Sequence, residues 1–191
     1  MYKNQNTLSE VVEFSGVGLH SGEKAKIKLI PAKVDNGIKF KINKNLIEAS
    51  WKNAVVSQLC TKIKLKNIAI STIEHLMAAI SGLGITNLVI QINTNEVPIL
   101  DGSSKEFVDQ IKTVGILKQV KFQKIIKIKK KVEYKDQDKY ICISPSKNNN
   151  LMIDYTIDYK DNFIKKQNLK YINNEKNFLN IYMSRTFCLH D

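Results

Sequence analysis

Ser71-Thr72-Ile73-Glu74-His75-Leu76-Met77-Ala78-Ala79-Ile80-Ser81-Gly82 is the stretch on which the reading of this chain turns. Ile73, Leu76, Met77 and Ile80 recur at helical spacing, which predicts a short helix with one buried face. Ser71 and Glu74 have the spacing of a capping box, and Gly82 is a stop signal. Glu74 and His75 then fall in the first turn. The positive end of the helix dipole there stabilises a carboxylate and disfavours a protonated imidazole. A neutral histidine beside an ionised glutamate can supply one metal ligand and one general base. The same residues also fit a plainer role, Glu74 closing the capping box and His75 being a satisfied, partly buried side chain.

Upstream, residues 7–14 read as a strand. Gly16-Val17-Gly18-Leu19-His20-Ser21-Gly22 is a glycine-rich turn. It lacks the Gly-Lys-Ser/Thr ending and the following helix of a phosphate loop. Residues 24–30 and 38–42 alternate apolar with polar and are expected to pair as a hairpin across the Pro31 to Gly37 turn. Residues 54–65 read as one or two short strands around Cys60-Thr61. Downstream come an apolar strand over 86–92 and a loop over 93–102 with Pro98 and the turn Asp101-Gly102. A second capping box, Ser103 with Glu106, opens a helix to about Val114 that buries Phe107, Val108 and Ile111 and ends at Gly115.

The pattern then starts again. Residues 127–134, 139–143 and 151–157 read as strands. Ile30-Pro31-Ala32-Lys33-Val34-Asp35-Asn36 is echoed by Ser144-Pro145-Ser146-Lys147-Asn148-Asn149-Asn150, each being strand, proline, small residue, lysine and polar turn. The order of elements indicates two copies of one α+β unit with a boundary near residue 120: a first domain over 1–120, and over 121–191 the start of a second that stops before its helices.

A length of 191 residues suits one large or two small domains. No apolar run approaches a membrane span. The segment Met1 to Thr7 has no apolar signal-peptide core. Cys60, Cys142 and Cys188 are too scattered for a disulfide framework or a cysteine-based zinc site, so a reducing cytoplasm is the expected location. The net charge of +12 invites a nucleic-acid reading. Against it, Arg185 is the only arginine among 30 basic residues, and arginine is the residue that reads guanine edges. The lysines are spread along the chain; the dense run over 121–131, interleaved with Ile125, Ile126 and Ile128, reads as a strand with a solvated face. The wealth of Lys, Asn and Ile matches an A/T-biased genome. A non-catalytic basic protein, binding nucleic acid or a partner chain, stays as the alternative; steep salt dependence of retention on DNA is its signature.

Four motifs occur in order: Gly16 to Gly22, Ser71 to Leu76, Pro98-Ile99-Leu100-Asp101-Gly102-Ser103, and Ser184-Arg185-Thr186-Phe187. Together they resemble the bacterial UDP-3-O-acyl-N-acetylglucosamine deacetylases, zinc enzymes of lipid A biosynthesis, from about Gln5 to the last residue. The resemblance implies an α+β fold of two similar domains, each a sheet with two helices in a two-layer β-α-α-β sandwich, clasping the site between their sheets, the second incomplete here. It implies His75 as a zinc ligand and Glu74 as the general base. It implies that the Thr186 hydroxyl helps hold the developing oxyanion and that Phe187 packs on the substrate. Leu59, Cys60 and Thr61 would line the approach to the metal. His20 and Asp101 are motif residues near the site; equally, His20 fits a turn and Asp101 an Asx turn before the helix.

The implied activity is zinc-assisted hydrolysis of the N-acetyl group of UDP-3-O-acyl-N-acetylglucosamine, the implied partner being that substrate, with no nucleic acid and no membrane span. The family takes two more zinc ligands from a His-x-x-x-Asp pair on a helix of the second domain and uses a further catalytic histidine. This sequence has neither; besides His75 it holds only His20 and His190. The expectation is an incomplete Zn2+ site, weak zinc binding, and no deacetylation by this chain alone unless another chain supplies the missing groups. A terminal His190-Asp191 pair has no geometric reason to replace ligands held on a helix. The single arginine, Arg185, is expected to brace the Thr186 loop through a carboxylate or backbone carbonyls, a multi-donor role that lysine does not fill.

Overall fold

The computed structural model describes residues 3–147, 150–160 and 163–187. His190 and Asp191, Cys188, and Asn148 and Asn149 of the echoed turn lie outside the described residues. The fold is mixed α and β. Two compact units divide it: Lys124–Phe178 is one, and the residues before Lys124 together with those from Leu179 onward are the other.

The larger unit runs β1 (Asn4–Leu8), β2 (Val12–Val17), β3 (Lys24–Pro31), β4 (Ile38–Ile42), β5 (Asn45–Glu48), a 3-10 turn at Trp51–Asn53, β6 (Ala54–Val55), β7 (Lys62–Leu65), β8 (Ile68–Ile70), α1 (Glu74–Gly82), β9 (Leu88–Ile92), α2 (Lys105–Val114) and β10 (Ile116–Phe122). Its main sheet has the order β2-β3-β9-β4-β5, with β6-β7-β8 and the pair β1-β10 as smaller sheets. In β3 the alternation has a direct outcome: Ala25, Ile27 and Leu29 are buried and the lysines between them face outward. Each such aliphatic side chain contributes roughly 1.5–3 kcal/mol by leaving water. α1 and α2 pack on each other, and α2 packs on β2, where the rings of Phe14 and Phe107 meet edge to face at 4.9 Å. The β1-β10 pair is tied to the sheet by buried amides: Asn87 Nδ2 donates to Gln5 Oε1 and to Gln119 Oε1, each at 2.7 Å.

Several expectations are corrected here. Residues 7–14 are not one strand; the chain breaks after Leu8, where Ser9 N–H donates to the Gly115 carbonyl, and β1 and β2 enter different sheets. β4 is not the hairpin partner of β3. The apolar β9 inserts between them, antiparallel to β3 and parallel to β4, because Leu88, Ile90 and Ile92 bury more completely in a central position. Neither capping box forms. Ser71 bridges to Glu96, and the Glu74 carboxylate accepts from Thr61 instead. Ser103 bonds Asp101 and receives Lys105 N–H, while Glu106 is exposed. β5 and β8 fall in stretches to which the sequence reading assigned no strand. α1 and α2 end as expected, and Phe107, Val108 and Ile111 are buried. Met77 is only half-buried, Ala79 taking its place in the core.

The smaller unit consists of the hairpin β11 (Val132–Asp136) with β12 (Lys139–Ile143), the hairpin β13 (Met152–Asp158) with β14 (Lys166–Ile172), and the start of α3 (Glu175–Ile181). The strand expected from 127 begins only at Val132, and β14 went unread. α3 lies in a segment read as free of helix; the Asn174 side chain accepts from the N–H of Asn177 at 2.9 Å to open it.

Candidate functional site

Within the larger unit the structure brings the four sequence motifs to one place, and the hub is a residue that the sequence reading missed. Glu96 is 3% exposed. Its carboxylate accepts from the N–H of His20 at 3.0 Å, the N–H of Ser21 at 2.8 Å and the hydroxyl of Thr72 at 2.8 Å. Burial works against its charge, but these bonds and one from the Ser21 hydroxyl outweigh it and hold the carboxyl down to about 2. Gly18 explains the glycine-rich turn: a Cβ there would stand 2.4 Å from Glu96 Oε2 and from Ser21 Oγ. The turn is therefore a set of backbone donors wrapped around a buried carboxylate. The glycines and the isolated acid between Asn95 and Val97 were the signals, but no local spacing joins them.

Glu96 also fixes the entry to α1. Ser71 N–H donates to Asn95 O at 2.9 Å and Val97 N–H to Ser71 O at 3.1 Å, so the segment before the helix is strapped alongside Glu96. Thr72, 2% exposed, has φ +57°. A β-branched residue in the left-handed region is a genuine outlier and costs on the order of 1–3 kcal/mol. Its bond to Glu96 helps to offset that.

Glu74 and His75 follow at once, both half-buried. Glu74 Oε2 accepts Thr61 N–H at 2.9 Å, and Ile73 N–H donates to Thr61 O at 3.4 Å. The 59–61 segment thus lies against the carboxylate. Thr61 is exposed, Leu59 is 88% exposed at φ +59°, and Cys60 is half-buried with its Sγ 3.2 Å from Ser57 Oγ. The carbonyl of His75 accepts from Ser104 Oγ at 2.8 Å. Ser104 N–H donates to Tyr182 O and Thr186 N–H to Gly102 O, at 3.1 and 2.8 Å, which seats the 184–187 motif on the Asp101-Gly102 turn.

Asp101 accepts from the Ser103 hydroxyl at 2.7 Å and faces Arg185 Nε at 3.6 Å. Burial opposes its charge, but the Ser103 hydroxyl and N–H and the Arg185 guanidinium hold the carboxyl below its ordinary range. The Thr186 and Phe187 side chains are exposed. His20 joins the cluster through its N–H, and its residue is exposed. A shallow depression of about 350 Å³ lies elsewhere on this unit, beside Glu13, Leu100 and Glu106, and none of the candidate catalytic, metal or substrate residues lines it.

His75 is a suitable metal donor, but one imidazole is not a site. Among the described residues no three His, Cys, Asp or Glu side chains gather to hold an ion, so the described groups do not by themselves fit a catalytic zinc, which takes three protein ligands. Among the described residues, too, no helix is long and apolar enough to cross a membrane.

The larger unit is an α+β unit that presents a glutamate–histidine pair at a helix start. Comparison with known proteins gives it a family. The model of the LpxC family, UDP-3-O-acyl N-acetylglycosamine deacetylase, matches residues 5–191. Curated proteins named UDP-3-O-acyl-N-acetylglucosamine deacetylase are similar along nearly the whole chain. Those of Campylobacter fetus subsp. fetus and Nitratiruptor sp. are each 38% identical over 96% of the chain, and that of Haemophilus ducreyi is 40% identical over 96%. The chain spans 62–63% of the length of these relatives. The chain belongs to the LpxC family.

Proposed function

We propose that the chain carries the general-base half of a deacetylase site acting on the N-acetyl group of a UDP-3-O-acyl-N-acetylglucosamine, in lipid A biosynthesis and in the cytoplasm. The observation that carries this reading is the chain of hydrogen bonds that links the four motifs around the start of α1, through Glu96, Thr72, Ser104 and Gly102, together with the matching names of relatives.

In the reaction, water adds to the amide carbonyl carbon and Glu74 takes the proton that the water gives up. Thr61 N–H engages Oε2 and so orients the carboxylate. The Thr186 hydroxyl donates to the oxyanion as the carbonyl oxygen gains charge, worth roughly 10²–10³-fold for such a donor. The C–N bond then breaks, the sugar nitrogen takes a proton, and acetate leaves. Phe187 and Leu59, apolar and exposed, give the substrate surfaces to pack on, with Cys60 and Thr61 between Leu59 and the base. Asp101 and His20 act through the turns they hold.

Zinc would supply a Lewis acid in this family chemistry, with His75 as one ligand. The other ligands are not among the described residues, so no step is assigned to the metal. On the same reading, residues 121–191 belong to a second domain similar to 1–120, each domain a two-layer sandwich.

The test is a chimera in which residues 5–191 replace the matching part of the Haemophilus ducreyi relative. Acetate release from UDP-3-O-acyl-N-acetylglucosamine is expected. Glu74→Gln should lower it by about 10²–10⁴-fold with the melting temperature unchanged. A folded chimera that releases no acetate, or one indifferent to Glu74→Gln, overturns the reading.

A further inference from the structure

We infer that Glu96 is the positioning residue for Glu74: by gripping Thr72 from one side and the Gly18 to Ser21 turn from the other, it sets the direction from which the chain enters α1. This rests on the reading of Glu74 as the general base, but its geometry can be tested without any reaction.

Between Thr72, whose hydroxyl Glu96 holds, and Glu74 there is a single residue, Ile73, buried and with helical backbone angles. Little freedom is left between the grip and the carboxylate. Thr72 sits at φ +57°, a conformation a threonine keeps only when its surroundings impose it. Two constraints act on that residue. The backbone strap through Ser71, Asn95 and Val97 fixes the chain before it, and the Glu96 carboxylate fixes its side chain. Without the carboxylate, the strap and the long 3.4 Å bond from Ile73 N–H to Thr61 O are left to hold the peptide after Thr72, and its relaxation toward an ordinary φ would rotate the first turn of α1. The Glu96 carboxylate is itself aimed by His20 and Ser21 N–H groups, and Gly18 leaves it the room. The glycine-rich turn thus acts on Glu74 at second hand, which gives that motif a purpose in the site that does not depend on the His20 imidazole.

The reporter is the Thr61 amide, which donates to Glu74 Oε2. In the isotopically labelled 191-residue chain, its proton resonance is assigned to that bond by its displacement in Glu74→Gln. Glu96→Gln keeps the volume but turns a donor toward the donors of His20, Ser21 and Thr72. The expected result is a displacement of Thr61 comparable with that in Glu74→Gln, while the α2 amides stay in place. Thr72→Ala, which removes the hydroxyl, should displace Thr61 in the same sense, and Thr72→Ser, which restores it, should not. These two keep the inference exposed to test should Glu96→Gln fail to fold. Resonance changes confined to His20, Ser21 and Thr72, with Thr61 unmoved in Glu96→Gln or in Thr72→Ala, overturn it. Such a result would leave the deacetylase reading standing, just as an active Glu74→Gln chimera would remove that reading and leave the grip in place.

Discussion

Two strands of this chain, both legible in the sequence, end in opposite states. In β3, Lys24-Ala25-Lys26-Ile27-Lys28-Leu29 buries every second side chain. In β12, Lys139-Tyr140-Ile141-Cys142-Ile143 leaves Tyr140, Ile141 and Ile143 at 61%, 61% and 50% exposed. Both are strands, because β-branched and aromatic side chains favour the extended chain, with period-2 alternation added in β3. Only one contributes to a core. β3 is an interior strand of a five-stranded sheet in a unit with two helices. β12 has a single partner, and a lone two-stranded hairpin is marginal in water. Among the described residues from Lys124 to Phe178, Phe178 alone is a buried apolar side chain. Alternation specifies a strand; burial requires a second layer.

The largest expected effect tests that contrast directly. Phe107, fully buried against Phe14, should lose about 3–5 kcal/mol on Phe107→Ala. Ile141→Ala in β12 should stay within about 0.5 kcal/mol. Denaturant unfolding of the two variants beside the parent decides it, and equal losses would mean that the hairpins support the fold as much as the sheet does.

A smaller effect separates two carboxylates. Glu96, in the larger unit, has its carboxyl lowered from 4.5 to about 2. Its folded value lies below its unfolded one, so its stabilisation is fully present above pH 4.5 and is lost as pH falls toward 2. Glu133, in β11, is lowered as well, by Lys131 and Tyr140, but at a solvent-exposed position where ion pairs contribute little. Glu96→Gln should therefore flatten the acid limb of the stability curve and cost about 1–3 kcal/mol near neutrality, the range for a buried group left badly paired. Glu133→Gln should leave the curve unchanged. If the two variants titrate alike, solvent reaches Glu96 and the hub is not buried.

What the sequence made legible follows the same division. Local signals were read well: the two helices, Gly115 at the end of α2, and β4 and β12 to the residue. Each depends on neighbours within a few positions. Pairing was not legible. That β9 would lie between β3 and β4 depends on which apolar strand gains most from burial on both sides. The capping boxes failed because Glu74 and Ser103 found partners outside their own helices, at Thr61 and Asp101. The site residues were named through motif resemblance, but Glu96 stands 76 residues from His20 and 24 from Thr72 in sequence. A buried acid with distant donors leaves no local pattern; its one trace is the glycine at position 18, which makes room for it.

The smallest expected effect concerns the link between the two chain segments of the larger unit, through the Asp101-Gly102 turn and the 184–187 motif. Arg185 was expected to brace the Thr186 loop through a carboxylate or backbone carbonyls, and the Asp101 carboxylate faces it at 3.6 Å. The guanidinium side chain is 70% exposed, so the pair should contribute less than about 1 kcal/mol. Asp101 also keeps its two bonds from Ser103 whatever stands at position 185. Arg185→Lys preserves the charge and removes the planar donor array. Global stability should barely change, while hydrogen exchange of the Thr186 amide, bonded to Gly102 O at 2.8 Å, should quicken a few-fold. Exchange at parental rate in Arg185→Lys would show that the backbone bonds to Gly102 and Tyr182 hold the motif unaided, and that arginine at this position serves the substrate side of the loop or nothing in the fold.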